Sequence, residues 1–466
     1  MTGTTTRPAA TTESPTGLAT PAAALATADR IVELVRKRSR DAEAEVTVNG
    51  GTDALTRFAN SFIHQNVAES ASHVLLRVAL DGRTAATSLD GPTDDETLVR
   101  LIDGVLEAAR VRPEDPDWPG LAPKADAPKV DHWDDPTAAA GPDERAQRVR
   151  DFVDAGGGLE CAGFFATGAA ITAFANSAGQ RLSGRATVAE LDGIARTPTS
   201  DGSGRHSSVR LADIDGTAAG TTAAEKARGA AEPTDLEPGR YEVVLEPYSV
   251  ANLVQFLFVY GFNGRAVEEG RSFVKFDEQQ FDQSIDLRDD VSDPGQTGVA
   301  FDVEGTPRRR TAVVESGVTK AVLHTRRTAK RAGVESTGHA LEGAEQWGAL
   351  PTNTVLSAGD RTRDALIRGV ERGLLVTDFW YTRVLDPRTL VVTGLTRNGV
   401  WLIESGRIIR PVKNLRFTQS YVEALAPGAV RSIGSDQTLI GGGGEGSYLV
   451  PSLHLASWNF TGGARG

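Results

Sequence analysis

Seven histidines, one cysteine and an acidic background are the raw material for chemistry in this chain. His64, His73, His132, His206, His324, His339 and His454 never pair at metal-ligand spacing, and no HExxH pattern occurs. A metal site would have to be assembled from scattered ligands. Cys161 stands alone, which excludes an internal disulfide and a multi-cysteine zinc site within one chain. ESTGHALEG, Glu335 to Gly343, sets Ser336 three residues before His339, with Glu342 nearby. A hydrolytic Ser–His pair needs nucleophile, base and acid to converge in space, so a turn packed against a binding groove is the default reading. IGGGGEGS, Ile440 to Ser447, lacks the GKS/T ending of a P-loop and leads into no obvious helix; it reads as a loop of close backbone approach. The segment 306–333 carries Arg308, Arg309, Arg310, Lys320, Arg326, Arg327, Lys330 and Arg331. It could hold an acidic peptide or a carboxylate, with a solvated face or a subunit contact as the default.

One stretch looks built for a catalytic metal yet holds no histidine: YSVANLVQFLFVYGFNGRAVEEG, Tyr248 to Gly270. Val250, Leu253, Val254, Leu257 and Phe258 recur on one helical face. Polar residues stop the run well short of the roughly 20 residues a membrane span needs. Gly261, Asn263 and Gly264 then permit a distorted helix end, followed by Arg265, Glu268 and Glu269.

These residues must be positioned by a chain of 466 residues, long enough for two or three domains. A net charge of -12 argues against non-specific nucleic-acid binding. There is no apolar run of membrane-spanning length, and MTGTTTRPAATTESPTG lacks the hydrophobic core of a signal peptide, so a cytoplasmic location is expected. Composition and periodicity divide the chain into a disordered tail (1–24), an N-terminal α+β unit with a small antiparallel sheet (25–112) and a proline-rich linker (113–142). A middle α+β unit of short strands (143–236) and a mostly β unit (237–466) follow. The fold class is α+β.

The order of several motifs resembles the TldD/PmbA family, bacterial proteins that pair a metallopeptidase subunit with a metal-free TldE-like one. The resemblance rests on the helix at 248–270, STGHALEG, PTNTVLSAGD, the run from LLVTDFWYTRVLDP to RFTQSYVEAL, and the terminal GGGGEGS, with LTRFANSFIHQNV resembling the family's opening strand pair. It covers most of the chain from about residue 25. In catalytic members the helix ends in an HExxxH-type motif and a cysteine near the C-terminus adds a ligand. Laid on this sequence, the histidine positions fall on Tyr260 and Arg265, the glutamate on Gly261 and the cysteine near Gly442. A phenol, a bare backbone and a permanent cation are not zinc ligands.

The resemblance therefore implies a metal-free TldE/PmbA-like subunit, with no cofactor of its own, that pairs with a zinc-bearing, HExxxH-containing TldD-like partner. The pair would degrade or process small or unfolded peptides in a shared cavity, with Arg265, His339 and Asn353 as substrate contacts. Alone, the chain would form a homodimer, either through the β-rich unit around Phe379, Trp380, Tyr381 and Trp401, with core packing as the default role for most of these four, or through an edge strand at RFANSFIHQNV. Two other classes stay open: a stand-alone hydrolase or transferase in natural-product or peptide maturation that works without HExxxH, and a homodimeric binding or scaffold protein.

Overall fold

Alternation of small and branched residues builds a sheet whose two faces meet different partners. The structure is a computed structural model that describes residues 20–91, 94–441 and 446–463. β1 (Glu43–Ala59), β2 (Phe62–Leu80), β3 (Arg83–Asp90), β4 (Glu160–Asn176), β5 (Arg181–Arg196) and β6 (Asp201–Ser208) form one antiparallel sheet in the order β3-β2-β1-β4-β5-β6. On one face Val46, Val48, Leu76, Val78 and Ala173 meet α1 (Pro21–Arg38) and α2 (Asp95–Val111). Further along that face Phe58, Phe165 and Leu191 meet α4 (Pro142–Ala155) and α5 (Gly216–Gly229), the short α3 (Asp135–Ala138) preceding them. Thr20 caps α1, so the helix starts inside the expected tail: Pro21 takes the first turn, where its missing N–H costs nothing. Asp94 caps α2 by accepting from the Thr97 amide at 2.9 Å.

The sheet corrects two expectations. The stretches 25–112 and 143–236 contribute three strands each to one sheet, joined by the β1–β4 ladder from Glu45↔Asn176 to Phe58↔Gly163. The middle strands are also not short: β4 and β5 run 17 and 16 residues. Their glycines serve close packing, not interruption; a Cβ on Gly163 would lie 2.2 Å from the Asp192 carbonyl oxygen across the ladder.

The proline-rich segment is a strap, not a free linker. It runs over α8 (Arg326–Ala332), the basic helix, and its backbone carbonyls are read in sequence. Lys330 Nζ donates to the Pro116 and Trp118 oxygens, and Arg326 Nη2 to Leu121. Arg327 clasps Asp115 through both terminal guanidinium nitrogens, Nη1 and Nη2, and Arg331 pairs with Asp117. The basic segment thus holds an acidic peptide, but one belonging to its own chain. Arg308 points inward and donates to the carbonyls of Gly338 and Val299.

The remaining strands are β7 (Gly239–Leu245), β8 (Leu287–Asp289), β9 (Thr311–Glu315), β10 (Val318–Thr319), β11 (Asn353–Leu356), β12 (Arg372–Asp386), β13 (Val391–Glu404), β14 (Arg407–Pro411), β15 (Leu415–Ser420), β16 (Val430–Ile433), β17 (Thr438–Gly441), β18 (Ser447–Val450) and β19 (Leu453–Gly463). β12, β7, β19, β15 and β13 follow one another, and β13 pairs back onto β12, so this sheet closes on itself with β14 as a flap. The second sheet has the order β10-β9-β8-β11-β18-β17. Between them lies α6 (Pro247–Tyr260), with Val250, Leu253, Val254, Leu257 and Phe258 fully buried. The α+β class and the mostly β character of 237–466 are as expected.

Charges tie the first sheet to the rest. Glu45 on β1 accepts from Arg77 on β2 at 2.8 Å, and Arg77 also faces Glu304 at 3.7 Å. Burial pushes Glu45 from its ordinary 4.5 up to about 8, against Arg77 and with help from Glu304. A folded-state pKa above the unfolded one means stability is complete below the unfolded value and is lost as pH rises through the folded one. Glu45→Gln, which cannot ionise, is therefore expected to flatten the decline in stability between about pH 4.5 and 8. Urea denaturation across that range reads it, and an unchanged slope refutes it.

Candidate functional site

The end of α6 is where the motif positions fall, and a buried helix end has carbonyls to satisfy. The Leu257 carbonyl accepts from both the Gly261 amide (3.0 Å) and the Phe262 amide (2.9 Å), a widened last turn. Ser272 Oγ donates to the Gly261 carbonyl at 2.8 Å. Asn263 then caps a new short helix, α7 (Gly264–Glu268), by accepting from the Arg265 amide, while its Nδ2 donates to the Trp347 carbonyl at 2.7 Å. The chain is thus distorted between the two expected histidine positions, as the glycines and Asn263 suggested.

The groups presented there do not suit a divalent metal. Tyr260 is half-buried and packs on Phe256, ring centroids 5.5 Å apart. Arg265 donates through Nε to Glu269 at 2.8 Å and through Nη1 to the Glu345 carbonyl. Gly261 has no room for a side chain: a Cβ would stand 2.0 Å from Phe273 Cε1 and 2.8 Å from the Leu257 oxygen. Phe273 belongs to an aromatic group with Phe262 and Phe281, so the space where a general base would project is filled by core. Gly442 lies outside the described residues. Among the described residues no three His, Cys, Asp or Glu side chains converge as a metal site.

His339 and Asn353, expected as substrate contacts, sit together in a buried polar network. His339 is fully buried, with Nδ1 on Thr337 Oγ1 (2.8 Å) and Nε2 on Asp289 Oδ1 (2.9 Å). Asp289 Oδ2 accepts from the Thr352 and Asn353 amides at 2.9 and 2.8 Å. Burial opposes ionisation of Asp289, but His339 and those two amides outweigh it and hold the carboxyl below its usual range. Asn353 Nδ2 donates to the Thr297 carbonyl at 2.6 Å. Ser447, the last residue of the glycine run, joins through Oγ to the Thr352 carbonyl and Gln296. The network anchors the end of that run, with His339 and Asn353 buried inside it. Ser336 Oγ donates to the His324 carbonyl and not to His339, and Glu342 reaches across to His73 at 3.1 Å, so no Ser–His–acid arrangement forms. Of the three expected contacts, Arg265 lines a cleft of about 490 Å³ beside Glu268, Glu269 and the strap, whereas His339 and Asn353 are buried.

The sequence did not signal a second cleft, about 600 Å³, at the other end of α6. Glu246, just before Pro247, is buried between Lys226 Nζ (2.5 Å) and Arg363 Nη2 (2.7 Å). Burial raises its pKa, but the two cations more than reverse this and keep it ionised. Arg205 on β6 bridges Asp192 (3.0 Å) and Asp378 (2.8 Å) with its guanidinium over Tyr248. Arg205–Asp378 crosses from the first sheet to the closed one, and Lys226–Glu246 ties α5 to the start of α6, over separations that sequence spacing does not reveal. A carboxylate clamped by two cations is a poor proton acceptor, so Glu246 serves the seam and not acid–base chemistry.

The packing at Gly261 makes a prediction about restoring the motif. Tyr260→His, Arg265→His, Gly261→Glu and Gly442→Cys recreate the ligand set on paper. Gly261→Glu alone should cost about 1–3 kcal/mol or more through overpacking against Phe273. Adding Phe273→Ala should recover part of that loss, whereas Phe273→Ala in the unchanged chain should only destabilise. Denaturant unfolding of the four proteins decides this; a tolerated Gly261→Glu would contradict it.

Comparison with other proteins bears on the family and the fold. Residues 238–462 match the PmbA/TldA metallopeptidase C-terminal domain. A metalloprotease of Methanothermobacter thermautotrophicus is 25% identical over 236 residues, covering 50% of this chain and 51% of that protein. A metalloprotease TldD homologue of Buchnera aphidicola is 29% identical over 142 residues, 29% of each chain. The alignments thus span about half or less of these relatives' length. The crystal structure of TldE from Thermococcus kodakarensis superposes with a TM-score of 0.85 at 18% identity, covering 94% of this chain and all of that one, and so shares the fold. Residues 238–462 belong to the TldD/PmbA family.

Proposed function

We propose that this chain is the metal-free, TldE/PmbA-like subunit of a two-subunit metallopeptidase whose TldD-like partner carries the HExxxH motif and the zinc. The observation that carries the reading is the filled space at Gly261: the Phe273 ring stands where a catalytic glutamate would project. Arg265, at the second histidine position, is already engaged by Glu269 and Glu345 and would repel a divalent ion. The pair would act on small or unfolded peptides in the cytoplasm.

Pairing needs an apolar surface, and the β12–β13 hairpin offers one. The four aromatics around it divide: Phe379 and Trp401 are core, whereas Trp380 and Tyr381 are 47% and 65% exposed, with Leu385 at 59%. Exposed aromatics of this kind suit a subunit contact. The other candidate is the β2 edge from Phe62 to Ala71, which β3 leaves uncovered because it pairs only from His73 onward. A stand-alone hydrolase built on His339 is disfavoured, since both ring nitrogens are engaged inside the core.

The purified chain is expected to hold far less than one zinc per molecule and to cleave no peptide, and to gain peptidase activity when an HExxxH paralogue is co-expressed. Elemental analysis showing about one tightly held zinc per chain would overturn the metal-free reading. Light scattering is expected to give a homodimer alone and a heterodimer with the partner. A mass of 49.3 kDa, unchanged on adding the paralogue, would remove the pairing.

A further inference from the structure

Among the half-buried arginines, Arg397 on β13 is distinguished by what it lacks. Its guanidinium lies 4.3 Å above the Trp380 ring, and no carboxylate or other hydrogen-bond acceptor engages it among the described residues. The acids close by are committed elsewhere. Asp378, its register partner on β12, binds Arg205 Nη1 at 2.8 Å and Asn398 Nδ2 at 2.6 Å. Asp192 is held by Arg205 Nε at 3.0 Å. Arg397 and Trp380 line a cleft of about 460 Å³ between the first sheet, α6 and the two ends of the glycine run, Gly441 and Gly446. Gln255 of α6 also lines it, with a side-chain amide that engages no group among the described residues.

We propose that this cleft binds a carboxylate of an extended peptide, with Arg397 as the receptor and Trp380 as its floor. Stacking on the indole fixes the guanidinium plane and leaves its N–H edges free, the geometry for a bidentate charge-assisted contact. A lysine on the same stem offers a point charge without that fork. Gln255 can donate to and accept from the peptide backbone beside it. The cavity is the size of a small-ligand site, so it takes a short segment and not a folded domain. The carboxylate can come from the peptide C-terminus or from an acidic side chain. The inference rests on the proposed peptidase reading for its ligand class, but needs neither the zinc nor the partner.

The test is binding, not cleavage. Fluorescence anisotropy is measured on the full chain with a dye-labelled pentapeptide in four forms: free acid or C-terminal amide, each with an internal aspartate or an asparagine. The form that carries the recognised carboxylate is expected to bind at least about tenfold more tightly than its neutral counterpart. Arg397→Ala should abolish that difference, the charged peptide losing far more affinity than the neutral one, and Arg397→Lys should restore only part of it. A thermal unfolding midpoint close to the parent's checks that the variants fold. Preference for the free acid names the C-terminus, and preference for the aspartate names a side chain. Equal affinity for all four forms, no binding to any, or an equal loss for all in Arg397→Ala would each overturn the proposal. Because the readout is made without the TldD-like partner, a chain that proves to hold zinc or to stay monomeric can still pass or fail it independently.

Discussion

A helix that ends inside a dry core has to find partners for its last carbonyls, and this constraint organises the C-terminal half. α6 is apolar on nearly every side, so water cannot finish its last turn. The Leu257 carbonyl takes two amides, Ser272 covers the Gly261 carbonyl and Asn263 restarts the chain as a second helix. Each of these contacts draws another segment inward. Ser272 and Phe273 fold back over the helix end, and Asn263 brings in the loop at Trp347 and Gly348. The aromatic group of Phe262, Phe273 and Phe281 then fills the volume between them. The same turn that could present ligands to a metal is here closed by packing.

Around this dry centre, ion pairs join the first sheet to the rest beside an apolar contact of Phe174 and Leu182 with Phe301. Arg205 reaches Asp378, Lys226 and Arg363 converge on Glu246, and Arg77 faces Glu304. Such buried pairs contribute little net stability over an apolar contact, but leaving one member unpaired is costly. They favour a single docking arrangement, because sliding the sheet would strand several charges at once. The Asp289–His339 network plays a similar part within the second sheet, fixing β8 to β11 and, through Ser447, one end of the glycine run.

Local periodicity made the helices legible. The buried positions of α6 are those of its apolar stripe, and the residues that break its end are glycines and an asparagine that sequence alone marks out. The arrangement of motifs also identified the family. What stayed hidden was set by contacts far apart in the chain. The β1–β4 ladder joins residues separated by more than a hundred positions, so a proline-rich gap between them looked like a domain boundary. His339 and Asn353 look like site residues because they are polar within family motifs, yet their partners Asp289 and Thr297 lie elsewhere in sequence. The strap is not legible in the sequence, because a run without periodicity gives no sign of whether it is free or held.

That strap changes what the basic helix is. α8 presents Arg326, Arg327, Lys330 and Arg331 to a tethered segment whose carbonyls and two aspartates they read one after another. Tethering makes the local concentration of this segment far exceed that of any free peptide, so the helix is saturated by its own chain. A cluster of cations that in isolation looks like a recognition site for acidic partners is thereby silenced in the intact molecule. Its specificity is spent internally, on holding the crossing between two halves of one sheet.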